Sequence, residues 1–283
     1  MPLDASQAGK TYPAHSFEVT ADAIRAYAAA TNDENPAYAE ERPLVPPAFP
    51  VVAVTTGLWA AVMGDEELGV NLARLVHGEE EHLFHAPIRA GDVLTVEGSL
   101  ESVEARESGE TFTILAKMTK DGVLAAELRS VMFIRGKGGR RGAPDPEEEL
   151  GEPVFVAAQQ VDEDQARRYA GASGDANPIH LDPEFARSVG FPGVILHGMC
   201  TFAFAARAVL DAVAARDPLR LQRIRMRFSR PVLPGQDLTT KGWLVEDAGK
   251  VKTYAFETLN ASGSAVIRKG AAEILHRRET LGA

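Results

Sequence analysis

Residues 169–201 read YAGASGDANPIHLDPEFARSVGFPGVILHGMCT. Asp175 and His180 are separated by Ala176, Asn177, Pro178 and Ile179, so one short connection delivers a carboxylate and an imidazole. Pro178 fixes its own φ and pushes Asn177 away from helical backbone. Asp and Asn in such positions hydrogen-bond their own backbone, which gives a tight loop able to aim both side chains at one small volume. Downstream, Gly190 and Pro192 lead into Val194-Ile195-Leu196-His197-Gly198, and residues 199–215 then carry a helical pattern. Gly198 stands at a helix start, where a backbone N–H without an intrahelical partner can face an oxygen bearing negative charge. Alone, Asp175 reads as a turn residue and His180 as an ordinary satisfied histidine. Together, beside Gly198, they read as an acid/base pair with an amide donor.

The same signature occurs once more, earlier in the chain. Residues 27–40, YAAATNDENPAYAE, align with residues 169–182, YAGASGDANPIHLD, at a constant offset of 142 that pairs Tyr27 with Tyr169, Asp33 with Asp175, Asn35 with Asn177 and Pro36 with Pro178. Phe84, Pro87 and Gly91 match Phe228, Pro231 and Gly235 at an offset of 144. A repeat of this length marks a duplicated structural unit. The first copy has Tyr38 where His180 stands and has no Leu-His-Gly after Pro47, so chemistry is assigned to the second copy alone. The expected division is 1–135 for the first unit, 136–152 for a Gly/Pro-rich and charged linker, and 153–283 for the second.

Each copy carries the same order of elements. Opening helices are expected at 21–31, capped by Thr20, and at 163–171, and longer apolar helices at 50–63 and 199–215. β-rich runs follow at 93–103, 111–118 and 123–134 in the first unit, and at 238–245, 251–259 and 265–275 in the second. Ile224, Met226 and Phe228 alternate with Arg223, Arg225 and Arg227 in a further strand. The fold class is α+β, with an antiparallel sheet wrapped around a long helix in each unit.

The Asp-x-Asn-Pro-(apolar)-His run formed by Asp175, Asn177, Pro178, Ile179 and His180 resembles the hydration motif of the MaoC-like, type 2 enoyl-CoA hydratases. Pro192, Ile195, Leu196, His197 and Gly198 meet the family's downstream signal more loosely. The resemblance implies a tandem (double) hot-dog fold and a hydro-lyase that reversibly hydrates trans-2-enoyl-CoA to (3R)-3-hydroxyacyl-CoA, as in fatty acid β-oxidation, without a cofactor. It makes Asp175, His180, Asn177 and Gly198 the catalytic candidates. Asn177 either holds the turn or orients the water. The His77-Gly78-Glu79 run resembles a thioester-lining stretch of eukaryote-type members, so His77, Gly78 and Phe228 become substrate-contact candidates. Arg225, with Arg223 and Arg227, is either part of a solvated outer face or a landing place for coenzyme A phosphates. A hot-dog acyl-CoA thioesterase and a non-catalytic acyl-CoA-binding protein stand as alternatives. The resemblance also implies a homodimer.

Bulk composition narrows the classes further. A net charge of −10 and a pI near 5.3 argue against a nucleic-acid binder, which gains affinity by neutralising phosphates. The single Cys200 excludes an internal disulfide and a cysteine-rich metal site, as a reducing compartment would give. It has no basic neighbour in sequence to make it a thiolate. The N-terminus shows no export signal and the C-terminus no Ser-Lys-Leu address, so a cytoplasmic location is expected. The apolar run 194–215 is interrupted by His197, Arg207 and Asp211, which argues against a membrane partner. No two-His helix motif, Gly-rich phosphate loop or serine elbow occurs, so no metal is expected. His197, set among apolar residues, reads as structural.

Overall fold

Strict alternation along the β-rich runs gives each strand one apolar and one polar face, and the computed structural model, which describes residues 3–106, 109–136 and 150–277, assembles them into a single sheet. The first copy comprises β1 (Thr11–Glu18), α1 (Ala21–Ala30), α2 (Val51–Thr55), α3 (Leu58–Met63), β2 (Leu75–Phe84), β3 (Val93–Arg106), β4 (Gly109–Lys120) and β5 (Val123–Arg135). The second comprises β6 (Phe155–Gln160), α4 (Gln165–Ser173), α5 (Pro183–Ser188), α6 (Gly198–Val213), β7 (Leu221–Phe228), β8 (Asp237–Asp247), β9 (Val251–Asn260) and β10 (Ala265–Leu275). Most of the expected linker, residues 137–149, lies outside the described residues.

The ten strands run in the order β1-β3-β4-β5-β2-β7-β10-β9-β8-β6, antiparallel at every junction. Read outward from the middle, the two halves repeat one topology. Helix α6 is buried over most of its surface, with Phe202, Phe204, Val209 and Leu210 at 0–1% exposure. This is the tandem hot-dog arrangement expected from the sequence.

Two of the contacts between the halves define how they fit together. On the sheet, β2 pairs with β7, setting Glu79 opposite Arg227, Glu81 opposite Arg225 and Leu83 opposite Arg223, while Glu80 and His82 face Met226 and Ile224. Arg223 contacts Glu81 and Glu273, and Arg227 approaches Glu79 at 3.8 Å. The arginine stripe thus belongs to the outer face of the seam. Inside, α1 and α4 bring Tyr27 and Tyr169, both fully buried, to a 3.2 Å hydroxyl contact with rings edge to face. Residues matched by the repeat touch each other, as in an isologous dimer interface.

One expectation is corrected. The helix expected over 50–63 is two helices, broken at Thr56-Gly57. His15 on β1 places Nε2 2.8 Å from the Ala53 carbonyl, the acceptor that Gly57 N–H would use in a continuous helix. Gly57 N–H turns instead to Val54 O at 3.4 Å. The His15 ring lies 2.6 Å from where a Cβ on residue 57 would sit, so only glycine fits.

The tyrosine pair gives a stability test. Tyr27→Phe and Tyr169→Phe each leave one buried hydroxyl without its partner, a loss of about 1–3 kcal/mol. The double variant removes both polar groups, so urea denaturation should show it no less stable than the weaker single. Strict additivity would contradict this account.

Candidate active site

Two nested Asx turns build the loop that carries the pair. Asp175 Oδ1 accepts from Asn177 N at 3.1 Å, and Asn177 Oδ1 accepts from Ile179 N at 3.3 Å, capping a short 3-10 turn, Pro178–His180. Asn177 therefore spends its oxygen on the turn and keeps its amide donors. Asp175 is half-buried and His180 is buried.

The imidazole is fixed by what it can bond. His180 Nδ1 lies 2.8 Å from the Ile195 carbonyl; a carbonyl only accepts, so Nδ1 carries the hydrogen and Nε2 presents a lone pair. Burial pushes the His180 pKa below 6.5, although Asp175 and the bond to Ile195 oppose that shift. The ring is neutral at pH 7 and is a base. His197 stacks on it, with centroids 3.7 Å apart and planes at 26°, and donates Nε2–H to the Asp175 carbonyl at 3.0 Å. Burial and then the neighbouring His180 drive the His197 pKa down to about 3. Its Nδ1 is buried with no hydrogen-bond partner among the described residues.

Polar atoms of Asp175, His180 and His197 lie within 4.8 Å of one another. These are the residues that would face a cation if one bound. Ring lone pairs lie in the ring plane, so two nearly parallel imidazoles direct theirs side by side rather than at one ion. A bridging water between carboxylate and imidazole suits the spacing better.

Gly198 is the first residue of α6, preceded by His197 in extended backbone. Its N–H has no acceptor among the described residues, and the helix start adds partial positive charge. The Phe228 ring lies 3.5 Å from the Cβ position of Gly198, and His77 meets Phe228 edge to face at 5.0 Å. The fold thus brings Phe228 and, behind it, His77 toward the start of the Gly198 helix, with β2 supplying His77 from the other copy, while Gly78 has Val131 and Phe133 as its nearest neighbours. Arg225 is not brought there. It is exposed on β7 between the buried Ile224 and Met226, which puts it on the opposite face of the sheet, so its candidacy for phosphate binding at this site falls away.

Three features were missed in the sequence. Glu80 is fully buried, with Oε2 2.8 Å from His77 Nε2 and Oε1 2.7 Å from His82 Nε2. Burial alone would raise its pKa, but hydrogen bonds from the two histidines outweigh that and hold it at about 2. A register shift at Gly78 places His77 and Glu80 on one face, where a regular strand would set them opposite. His82, whose Nδ1 meets Pro47 O at 2.9 Å, completes the buried cluster. The inward parity of residues 80 and 82 was the available signal. Cys200 is buried, which raises its thiol pKa and leaves it unreactive.

In the first copy Asp33, Asn35 and Ala37 repeat the nested turns at 3.1 and 3.0 Å. Tyr38 stands in the place of His180, and its buried hydroxyl is unpartnered among the described residues. Val45 N–H bonds Ile88 O as Leu196 N–H bonds Val232 O, which aligns Pro47, without an N–H, with Gly198.

Sequence profiles match each copy separately. A MaoC like domain profile matches residues 146–265, and a FAS1-like, dehydratase domain region profile matches residues 6–128. The chain is 32% identical over 209 residues to a probable enoyl-CoA hydratase 2 of Dictyostelium discoideum, covering 71% of this chain and 70% of that protein. It is 33% identical over 214 residues to the 3-hydroxyacyl-thioester dehydratase Y of Mycobacterium tuberculosis, covering 72% and 73%. A crystal structure of a MaoC-like dehydratase from Phytophthora capsici superposes with a TM-score of 0.80 over 99% of this chain and 100% of the other, at 23% identity. With its tandem hot-dog halves and its Asp175–His180 loop, this chain belongs to the MaoC-like, type 2 enoyl-CoA hydratase family.

Proposed function

We propose that the protein hydrates the double bond of trans-2-enoyl-CoA thioesters, reversibly, to (3R)-3-hydroxyacyl-CoA. The observation that carries this reading is the His180 imidazole, held neutral with Nε2 free beside the Asp175 carboxylate at the mouth of a helix whose first N–H is unspent. The names of the relatives, a hydratase and a thioester dehydratase, describe the two directions of one such reaction.

A water held between Asp175 and His180 gives up a proton to the pair while its oxygen bonds to Cβ. The π electrons move toward Cα and the thioester oxygen, where Gly198 N–H meets the developing charge. The pair then returns the proton to Cα, so water is consumed and the protein is unchanged. Acid/base assistance of this kind contributes about 10²–10⁴-fold, and one oxyanion donor about 10²–10³-fold. Asn177, its oxygen fixed in the turn, orients the water through its amide. His77, Gly78 and Phe228 line the approach of the thioester.

The same reading takes residues 1–135 and 153–283 as the two units, the first without catalytic residues. It needs no cofactor, and a role in fatty acid β-oxidation follows from the substrate. A cytoplasmic homodimer is proposed on the family resemblance and the single buried cysteine; no helix among the described residues is long and apolar enough to cross a membrane.

Asp175→Asn and His180→Gln should each lower kcat on crotonyl-CoA by about 10²–10⁴-fold, followed as loss of enoyl-thioester absorbance; rates within a few-fold of the parent would refute the assignment. Gly198→Pro is a cleaner probe of the amide, because proline suits the first helical position and His197 is already extended. It should fold normally and lose about 10²–10³-fold, whereas Gly198→Ala, whose Cβ makes only ordinary contact with Phe228, keeps activity. Because burial lowers the His180 pKa and only the neutral ring accepts a proton, kcat/KM should fall on the acid side with a midpoint below 6.5. A midpoint above 7 would remove His180 as the base.

A further inference from the structure

The two halves of the molecule are related by a repeat, so every wall of the cleft around Gly198 has a counterpart in the other half. Phe84 corresponds to Phe228, Leu221 to His77 and Gln222 to Gly78, all at the offset of 144. Val45 corresponds to Leu196 through the matched bonds to Ile88 and Val232, and Pro47 to Gly198. These five counterparts, Phe84, Leu221, Gln222, Val45 and Pro47, line one cavity of about 280 Å³. That is near the lower end of the size range of small-molecule sites, about 300–1,000 Å³. The duplication has kept a cleft at the second position.

Its chemistry has changed in one direction. The imidazole of His77 is replaced by the Leu221 side chain, and the amide of Gly198 by Pro47, whose carbonyl is engaged by His82 Nδ1 at 2.9 Å. The base is replaced by Tyr38, which is buried. No counterpart of the Asp175–His180 pair or of the Gly198 amide lies on these walls. What remains is mostly apolar, with two polar side chains, the half-buried Gln222 and the exposed His85, whose Nε2 meets Glu127 Oε1 at 3.0 Å.

We propose that this cavity is a second ligand site, which takes the acyl chain of an acyl thioester and does not turn it over. The class of ligand rests on the hydratase reading of the first site, since the same walls receive the same molecule there. A chain of the described protein then holds two acyl chains, one at Asp175–His180 and one beside Phe84 and Leu221.

Calorimetric titration of the full-length protein with decanoyl-CoA, which has no double bond to hydrate, counts the sites. Two molecules per chain are expected. Leu219→Trp and Gln222→Trp introduce bulk at half-buried positions of the cavity wall, and each should reduce the count to one while crotonyl-CoA hydration stays at the parent rate. One molecule per chain in the parent, or two in both tryptophan variants, would overturn the proposal. A parallel titration with sodium decanoate identifies the source: displacement of the second molecule means the free acid serves, and no displacement means the thioester is required. Loss of hydration with two molecules still bound would remove the functional reading and leave this one; normal hydration with one molecule bound would do the reverse.

Discussion

Pairing of β2 with β7 at the centre of the sheet is the constraint from which the rest follows. It fuses two copies of one unit about a pseudo-twofold axis, so Glu81 and Arg225, equivalent by the offset of 144, lie directly opposite each other. The same axis passes between Tyr27 and Tyr169. Once two units close on each other in this way, each lends strand residues to the other's cleft. That is why His77, on a first-copy strand, packs on Phe228 beside Gly198 of the second. A half by itself would lack part of its own wall. The outer face of the seam sets glutamates against arginines, and exposed pairs of that kind contribute little each. Their opposite signs do fix which strand lies beside which.

Shape and chemistry separate cleanly between the copies. Both loops make the same two Asx turns to within a few tenths of an ångström, so Asp-x-Asn-Pro encodes the backbone form whether or not an imidazole follows it. What distinguishes the second copy is an imidazole where the first has Tyr38, and an amide hydrogen where the first has Pro47. Asp33 illustrates the consequence. Burial raises its pKa to about 6 despite Arg207 nearby. Asp175 remains half-open beside a ring able to share a water.

The loop, the helix start and the duplication were legible because each is written in residues close together in the chain or repeated at a fixed offset. The features that were not legible are all long-range. The break in the first-copy helix depends on His15, 38 residues before the carbonyl it captures, and no local propensity in 50–63 announces it. Arg223, Arg225 and Arg227 look like a free basic stripe until β2 supplies Glu79 and Glu81. Glu80 reads as one more surface acid in a run of three, and only the register shift at Gly78 turns it inward between two histidines. His197 is structural in its bond to the Asp175 backbone, but its stacking on His180 is tertiary and has no trace in the motif.

Burial is what keeps the His180 ring, the proposed base, neutral. His180 gives its Nδ1 hydrogen to Ile195 and His197 gives its Nε2 hydrogen to the Asp175 backbone, so each ring is held in one tautomer by a group that can only accept. Burial and the neighbouring His180 disfavour a proton on His197, so in the proposed reaction a proton taken up by His180 passes to the substrate or to Asp175. The arrangement has an opposite consequence for the fold. The unfolded chain binds a proton on residue 197 at about pH 6.5 and the native state only near 3, so stability from this ring is complete above 6.5 and declines as pH falls toward 3. The burial that keeps these imidazoles neutral for chemistry therefore makes the native state acid-sensitive.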